Sequence, residues 1–233
     1  MDQALSNFQW LMSLRHSGKV IFRYFAIVST LLATSLPILT QAEASKDLQM
    51  GLRRQHSQVW CWAATIAMVV EYLKSFNVED CEVLAEYDMR LGGRGLCCLG
   101  ANECMRAGGL GEMGILFSKI FAIHGQVKGP LSFGDIVEEI DHDRPLIAAL
   151  QRPGGGHVVV LAGYREADSV LVLDPIYGRA WASYDSLKAN WQYGIWTNTI
   201  VFSTNRGDGG CHRIHESIST PFGPSVRPRV QCN

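Results

Sequence analysis

The hydrophobic pattern of this chain changes period at Asp143-Arg144-Pro145, and that change limits the possible folds more than any other feature. Before it, apolar residues recur at helical spacing. Trp62, Ile66, Val69, Val70 and Leu73 fall on one face of a helix predicted over residues 61–74. Ala63, Ala64 and Ala67 are strong helix formers. The adjoining face, with Ala64, Thr65 and Met68, is also largely apolar, so this helix is expected to be buried on more than one side. Further helices are expected over 112–124 and 132–141, the latter with Ser132 as N-cap and Phe133, Ile136, Val137 and Ile140 on one face. After Pro145 the runs 146–151, 157–164 and 170–175 read as strands. The last two, joined by a short polar turn, form a hairpin. A helix over 184–191 and a strand over 197–202 follow. Helices first and a mostly antiparallel sheet second make an α+β fold.

Cysteine placement adds a second constraint. Four of the seven, Cys81, Cys97, Cys98 and Cys104, crowd into residues 81–104, and Cys211 and Cys232 sit near the end. Cys61 stands apart from both groups. No CxxC pair occurs, and no Cys/His spacing matches a common zinc site, so neither metal nor cofactor is expected. Six cysteines pair in an oxidising compartment and leave Cys61 as the odd thiol. Six allow about 15 connectivities; adjacent Cys97 and Cys98 are expected to bond different partners.

Residues 1–44 carry the signs of a secretory signal peptide. A basic flank (Arg15, His16, Lys19, Arg23) precedes an apolar run over 24–39, and Ala42 and Ala44 give an A-x-A cleavage pattern. An uncleaved anchor is the alternative. The expected location is therefore secreted or periplasmic, without stable membrane association once the signal is removed. A formal net charge of −1 supplies no basic surface for nucleic acid. Residues 45–54 read as a polar lead-in. The many glycines within 75–111 read as a disulfide-stapled insertion without regular elements, and 203–233 as a loop-like, Pro/Gly-rich tail tethered by its two cysteines.

Cys61 begins the first helix, where free backbone N–H groups favour negative charge. A thiol attacks a carbonyl as the thiolate, which an adjacent imidazolium also favours. Of the histidines beyond the signal region, His157 is distinctive. It follows Pro153-Gly154-Gly155-Gly156 and opens an apolar strand. A lone His at a strand edge is commonly structural, but Asp174 ends the next strand, just before Pro175. In a plain hairpin Asp174 falls opposite Val160 or Leu161, near the His157 end, where a carboxylate could orient the imidazole. An Asp-Pro turn closing the strand is the plainer alternative. Gln55, six residues before Cys61, could donate with the Cys61 N–H to an oxyanion; Gln58 is its rival.

Gln55, Cys61-Trp62, Gly156-His157 and Leu173-Asp174-Pro175, in that order, resemble the papain-like cysteine peptidases. The likeness is stronger to their bacterial AvrRpt2-type and C39-like branch, through Trp60-Cys61-Trp62-Ala63-Ala64, Ile140 with Arg144-Pro145, and Gly156 to Tyr164. It covers about residues 50–202. It implies a papain-like domain over 45–202, with the nucleophile at a helix N-terminus against a sheet carrying His and Asp. The implied roles are Cys61 nucleophile, His157 base, Asp174 orienter and Gln55 oxyanion donor. The implied partner is a protein or peptide substrate, cut by a monomer. The chain departs from plant and lysosomal papains in having Trp60 before the nucleophile, Asp as third member and a shorter Cys-to-His spacing. An acyltransferase or transglutaminase-like enzyme, an isopeptidase, and an inactive disulfide-stabilised binding module remain alternatives.

Overall fold

Helix α1, Cys61–Lys74, runs through the middle of the core. Trp62, Ile66, Val69, Val70 and Leu73 are fully buried, and so are Ala63, Ala64, Thr65 and Ala67. Both apolar faces of the helix are thus used, and the exception among them, Thr65, is a polar group that must find a partner. It donates from Oγ1 to the carbonyl of Val158 at 3.4 Å. The helix stops where Ser75 takes a left-handed conformation, φ 50°. The computed structural model describes residues 44–166, 168–190, 194–220 and 223–233. The expected signal segment, apart from Ala44, lies outside them.

The sheet follows from the runs after Pro145. Strands β3 (Leu146–Arg152), β4 (Gly155–Arg165) and β5 (Ser169–Asp174) form an antiparallel meander. Before them in sequence come β1 (Ser45–Asp47), which pairs with β4, and β2 (Gly125–Lys128). After them come β6 (Gly178–Ser183) and β7 (Ile195–Phe202). The order is β2-β7-β3-β4-β5-β6, every pairing antiparallel. The middle strands are buried almost throughout, which is why they read as continuous apolar runs instead of alternating ones.

One irregularity in this sheet controls the site. From the turn, Arg165 pairs with Ser169, Tyr164 with Val170 and Gly163 with Leu171. Leu161 then pairs with Val172, so Ala162 is an extra residue, a β-bulge. Because of it Leu173 faces Val160, and continuing the ladder puts Asp174 opposite Val159. This corrects the plain-hairpin register, which put Asp174 opposite Val160 or Leu161. Residues 157 and 159 share one face of β4, and 160 is on the other. The bulge therefore turns Asp174 onto the face of His157. Gly163 lies where β1 crosses: a Cβ there would stand 2.6 Å from the Lys46 carbonyl oxygen.

The helical half departs from the sequence reading in two places. Helix α2, Asp80–Arg90, lies inside the stretch expected to lack regular structure. Its glycines begin only at Gly92, so nothing within the helix breaks it. The Glu82 carboxylate accepts from the Glu79 backbone N–H at 2.9 Å and closes its N-terminus. Helix α3, Leu110–Lys119, ends earlier than expected, before a turn in which Ala122 has φ 48°. Helices α4 (Phe133–Asp141, with Ser132 accepting from the Asp135 N–H at 3.2 Å) and α5 (Tyr184–Asn190) lie where the pattern puts them.

The C-terminal residues form a hairpin of β8 (Cys211–Thr220) and β9 (Gly223–Cys232), a correction to the loop-like tail. A two-stranded ribbon has no broad face to bury, so its sequence lacks the apolar alternation that marks other strands. Pro224 and Pro228 are tolerated because both strands are edges. Its cysteines bond each other, Cys211 to Cys232, and tie the ribbon to itself, not to the body. Attachment to α2 comes from Arg213 to Glu82 at 2.8 Å, Arg229 to Glu86 at 3.0 Å and the Val230 N–H to Glu86 at 2.7 Å.

The other disulfides are Cys81–Cys98 and Cys97–Cys104, so Cys97 and Cys98 do have different partners, and Cys61 is free. The Cys104 carbonyl accepts from the Trp60 indole at 2.9 Å, and the Arg106 carbonyl from the Trp62 indole at 3.4 Å. Gly108 packs flat on Trp62; a Cβ there would fall 2.4 Å from the ring. The stapled segment thus holds the indoles on both sides of Cys61.

Two outcomes follow for stability. Gly163→Ala forces a methyl against the β1 backbone and should cost about 1–3 kcal/mol, read as a lower denaturant midpoint; an unchanged midpoint would show that β1 does not press on the bulge. Replacing Cys97 and Cys104 together by Ser opens the cross-link and should cost about 2–3 kcal/mol. Tryptophan fluorescence should shift as Trp60 and Trp62 lose their clamp.

Candidate active site

The turn before α1 is built around one carbonyl. The Ser57 oxygen accepts from the Trp60 N–H at 3.1 Å and from Gln55 Nε2 at 2.6 Å. These bonds close the turn over 57–60 and bring the Gln55 amide back toward the helix start. The Gln55 backbone N–H donates to the Pro175 carbonyl at 3.2 Å, which ties this turn to the end of β5. Cys61 is the first helical residue, half-buried, its N–H in the first turn where no intrahelical carbonyl is available. The Gln55 Oε1 atom is buried without a hydrogen-bond partner among the described residues.

His157 is only 4% exposed and Asp174 only 1%. His157 Nε2 lies 3.0 Å from Asp174 Oδ1. His157 also hydrogen-bonds Cys61. With Nε2 engaged by Asp174, Nδ1 is the ring nitrogen left for the sulfur. The ring lies between two acceptors and donates to both only as the imidazolium. Burial works against that charge, but the hydrogen bonds to Asp174 and Cys61 outweigh it, and His157 is pushed up from 6.5 to about 9.

Burial also opposes the charge on Asp174, and here too hydrogen bonding wins. Oδ1 accepts from His157 and from the backbone N–H groups of Ile176 at 2.7 Å and Tyr177 at 3.1 Å. Together with the His157 charge these hold the carboxyl below its ordinary value. Pro175 starts the turn that delivers both N–H groups. The Asp-Pro turn and the His157 partner are therefore one structure, not alternatives. Asp174 Oδ2 is buried without a hydrogen-bond partner among the described residues.

The structure brings Cys61, His157 and Asp174 into one hydrogen-bonded line, with Gln55 in the adjoining turn. Sequence reasoning did not find the residues that hold them. Thr65 anchors α1 to β4 one turn after Cys61 and one residue after His157. Trp60, Trp62 and Gly108 fix the helix start, and Ala162 sets the face of Asp174. A visible signal for the last was Gly163 inside an apolar strand, since an isolated strand glycine marks a bulge or a close backbone approach.

In this arrangement a thiol, an imidazolium and a buried carboxylate can perform acyl chemistry. Among solved structures the chain is similar to a C39-like peptidase from Bacillus anthracis at 12% identity, covering 70% of this chain and 99% of that one, with a TM-score of 0.46. It is also similar to a double glycine motif protease from an AMS/PCAT transporter in complex with its leader peptide, at 14% identity, 70% and 95% coverage and a TM-score of 0.43. A third similarity is to the Pseudomonas avirulence protein AvrPphB, at 12% identity, 68% and 95% coverage and a TM-score of 0.33. No curated protein sequence matches. The model of the Peptidase_C39 like family matches residues 47–199, a span that contains Gln55, Cys61, His157 and Asp174. The chain therefore belongs to the Peptidase_C39 like family, and it is a cysteine-type peptidase of papain-like α+β fold.

Proposed function

We propose that this peptidase hydrolyses peptide bonds of protein or peptide substrates through a thioester on Cys61, and that it works outside the cytosol. The observation that carries the reading is the free thiol of Cys61 hydrogen-bonded to a buried His157 that is itself bonded to Asp174. Cys61 sulfur, its proton held on His157, attacks the scissile carbonyl carbon, and the carbonyl oxygen takes the negative charge. The Cys61 N–H and the second hydrogen of the Gln55 amide stabilise that oxyanion, the first being used on Ser57. His157 passes its Nδ1 proton to the leaving amine as the C–N bond breaks. The neutral ring then takes a proton from water as the water oxygen attacks the thioester, and collapse frees the acid and the Cys61 sulfur with the ring again protonated. Asp174 keeps the ring oriented and stabilises its cation throughout.

Export is supported by three disulfides, which are rare where glutathione keeps thiols reduced, and by the signal-like residues 1–44. Among the described residues no helix is long and apolar enough to cross a membrane.

The test is a thiol-directed epoxide inhibitor followed by peptide cleavage. Label should sit on Cys61, and Cys61→Ala should lose both label and cleavage. His157→Ala should lower kcat on the order of 10²–10⁴-fold, and Gln55→Ala on the order of 10²–10³-fold. Full cleavage by Cys61→Ala would refute the mechanism, and transfer of the acyl group to an added amine in preference to water would make it an acyltransferase.

The pH dependence carries a second test. His157 is raised, so its contribution to stability is complete below pH 6.5 and lost as pH climbs through about 9. Asp174 is lowered from 3.8, so its contribution is complete above that value and lost as pH falls toward the lowered one. The same imidazolium serves catalysis, so kcat/KM should fall on the alkaline side near pH 9. Asp174→Asn should move that fall to lower pH, because the carboxylate hydrogen bond is the strongest support of the ring charge. An alkaline limb that stays in place in Asp174→Asn would mean that another group titrates there.

A further inference from the structure

Asp80 is the first residue of α2 and is 2% exposed. A buried carboxylate is costly unless its oxygens are hydrogen-bonded, and among the described residues no Lys or Arg pairs with this one. Three N–H groups serve it. Oδ2 accepts from the His56 backbone N–H at 2.8 Å. Oδ1 accepts from the His56 ring Nδ1 at 2.7 Å and from the Cys81 N–H at 2.8 Å. His56 itself is exposed, so two of these bonds run from the interior to a surface turn. Closing the helix does not call for them, since Glu82 already accepts from the Glu79 N–H at 2.9 Å.

That surface turn carries Gln55. The Gln55 amide donates to the Ser57 carbonyl at 2.6 Å, so its direction follows the backbone after it. The His56 N–H, between the two, is fixed on Asp80. The backbone before Gln55 has its own ties: Gln55 N–H to the Pro175 carbonyl at 3.2 Å, and Arg53 to Glu71 at 2.9 Å and Glu79 at 2.8 Å. Asp80 stands on a firm base, because its neighbour Cys81 is bonded to Cys98.

We propose that Asp80 is a positioning residue of this site. By holding the His56 N–H it sets the Ser57 carbonyl, and through that carbonyl it aims the Gln55 amide at the oxyanion. The proposal rests on the peptidase reading above and on the role of Gln55 in it. Asp80 touches neither substrate nor reacting atoms. An oxyanion donor speeds the reaction when it already stands where the charge develops. Loosening the turn therefore acts on the transition state and leaves the Cys61 sulfur as reactive as before.

The experiment compares Asp80→Asn with the parent enzyme. Asn keeps the shape but turns an NH₂ group toward one of the donors. Both kcat and kcat/KM should fall together, by roughly 10–100-fold. Asp80→Ser, too short to hold both His56 bonds, is a second variant and should fall at least as far. Two readouts separate aiming from mere support. Alkylation of Cys61 by iodoacetamide forms no oxyanion, so its rate should match that of the parent. In a Gln55→Ala background, Asp80→Asn should bring no further loss of kcat. Parent kcat in both variants, a loss that adds to that of Gln55→Ala, or alkylation that slows in step with kcat would each overturn the proposal and leave the peptidase reading intact. Failure of both variants to fold would do the same, making Asp80 a support of the fold alone. No cleavage by the parent, with no inhibitor label on Cys61, would bring down both.

Discussion

The site depends on the contact between α1 and β4. A helix buried on both faces brings its N-terminus, with its unbonded N–H groups, to the end of a sheet. The Thr65 hydroxyl then bonds the Val158 carbonyl, one helical turn after Cys61 and one residue after His157. A buried hydroxyl without that acceptor costs about 1–3 kcal/mol, so sliding the helix along the strand is penalised from within the core. Cys61 and His157 meet because the core fixes the two elements on which they stand.

The third residue arrives by a different route. Strand side chains alternate, so a one-residue change of register moves a whole strand's side chains to the other face. Asp174 reaches His157 because Ala162 is an extra residue in β4, and Gly163 beside it leaves room for β1 to cross. The turn after Asp174 then supplies two N–H groups to the same oxygen that faces His157. Parity puts the carboxylate on the right side, and the turn holds it charged.

Much of this was legible before any coordinates. The change of period after Pro145 marks the α+β division, and Cys61, His157 and Asp174 stand at element ends where the pattern breaks. What was not legible shares a physical cause: it depends on partners distant in sequence. Helix α2 has a weak apolar stripe, since Val83 and Leu84 are buried beside the charged Asp80, Glu86 and Asp88, whose partners lie elsewhere in the chain. The β8–β9 ribbon buries little, so no apolar period announces it. The register of β5 turns on a bulge that depends on β1, more than a hundred residues earlier.

The cysteines bring two opposed requirements into one molecule. Cys61 is a free thiol, while the segment that clamps Trp60 and Trp62 on either side of it is held by disulfides. Thiol–disulfide exchange needs the attacking sulfur to reach the bond. Cys97 is 1% exposed and Cys104 is 0%, so the bond nearest the indole clamp is shielded by packing, whereas Cys61 is half-buried. Burial thus sets the sulfurs of that disulfide apart from the half-buried sulfur of Cys61. The Cys104 carbonyl, bonded to the Trp60 indole, carries the rigidity of the one to the other without bringing the sulfurs together.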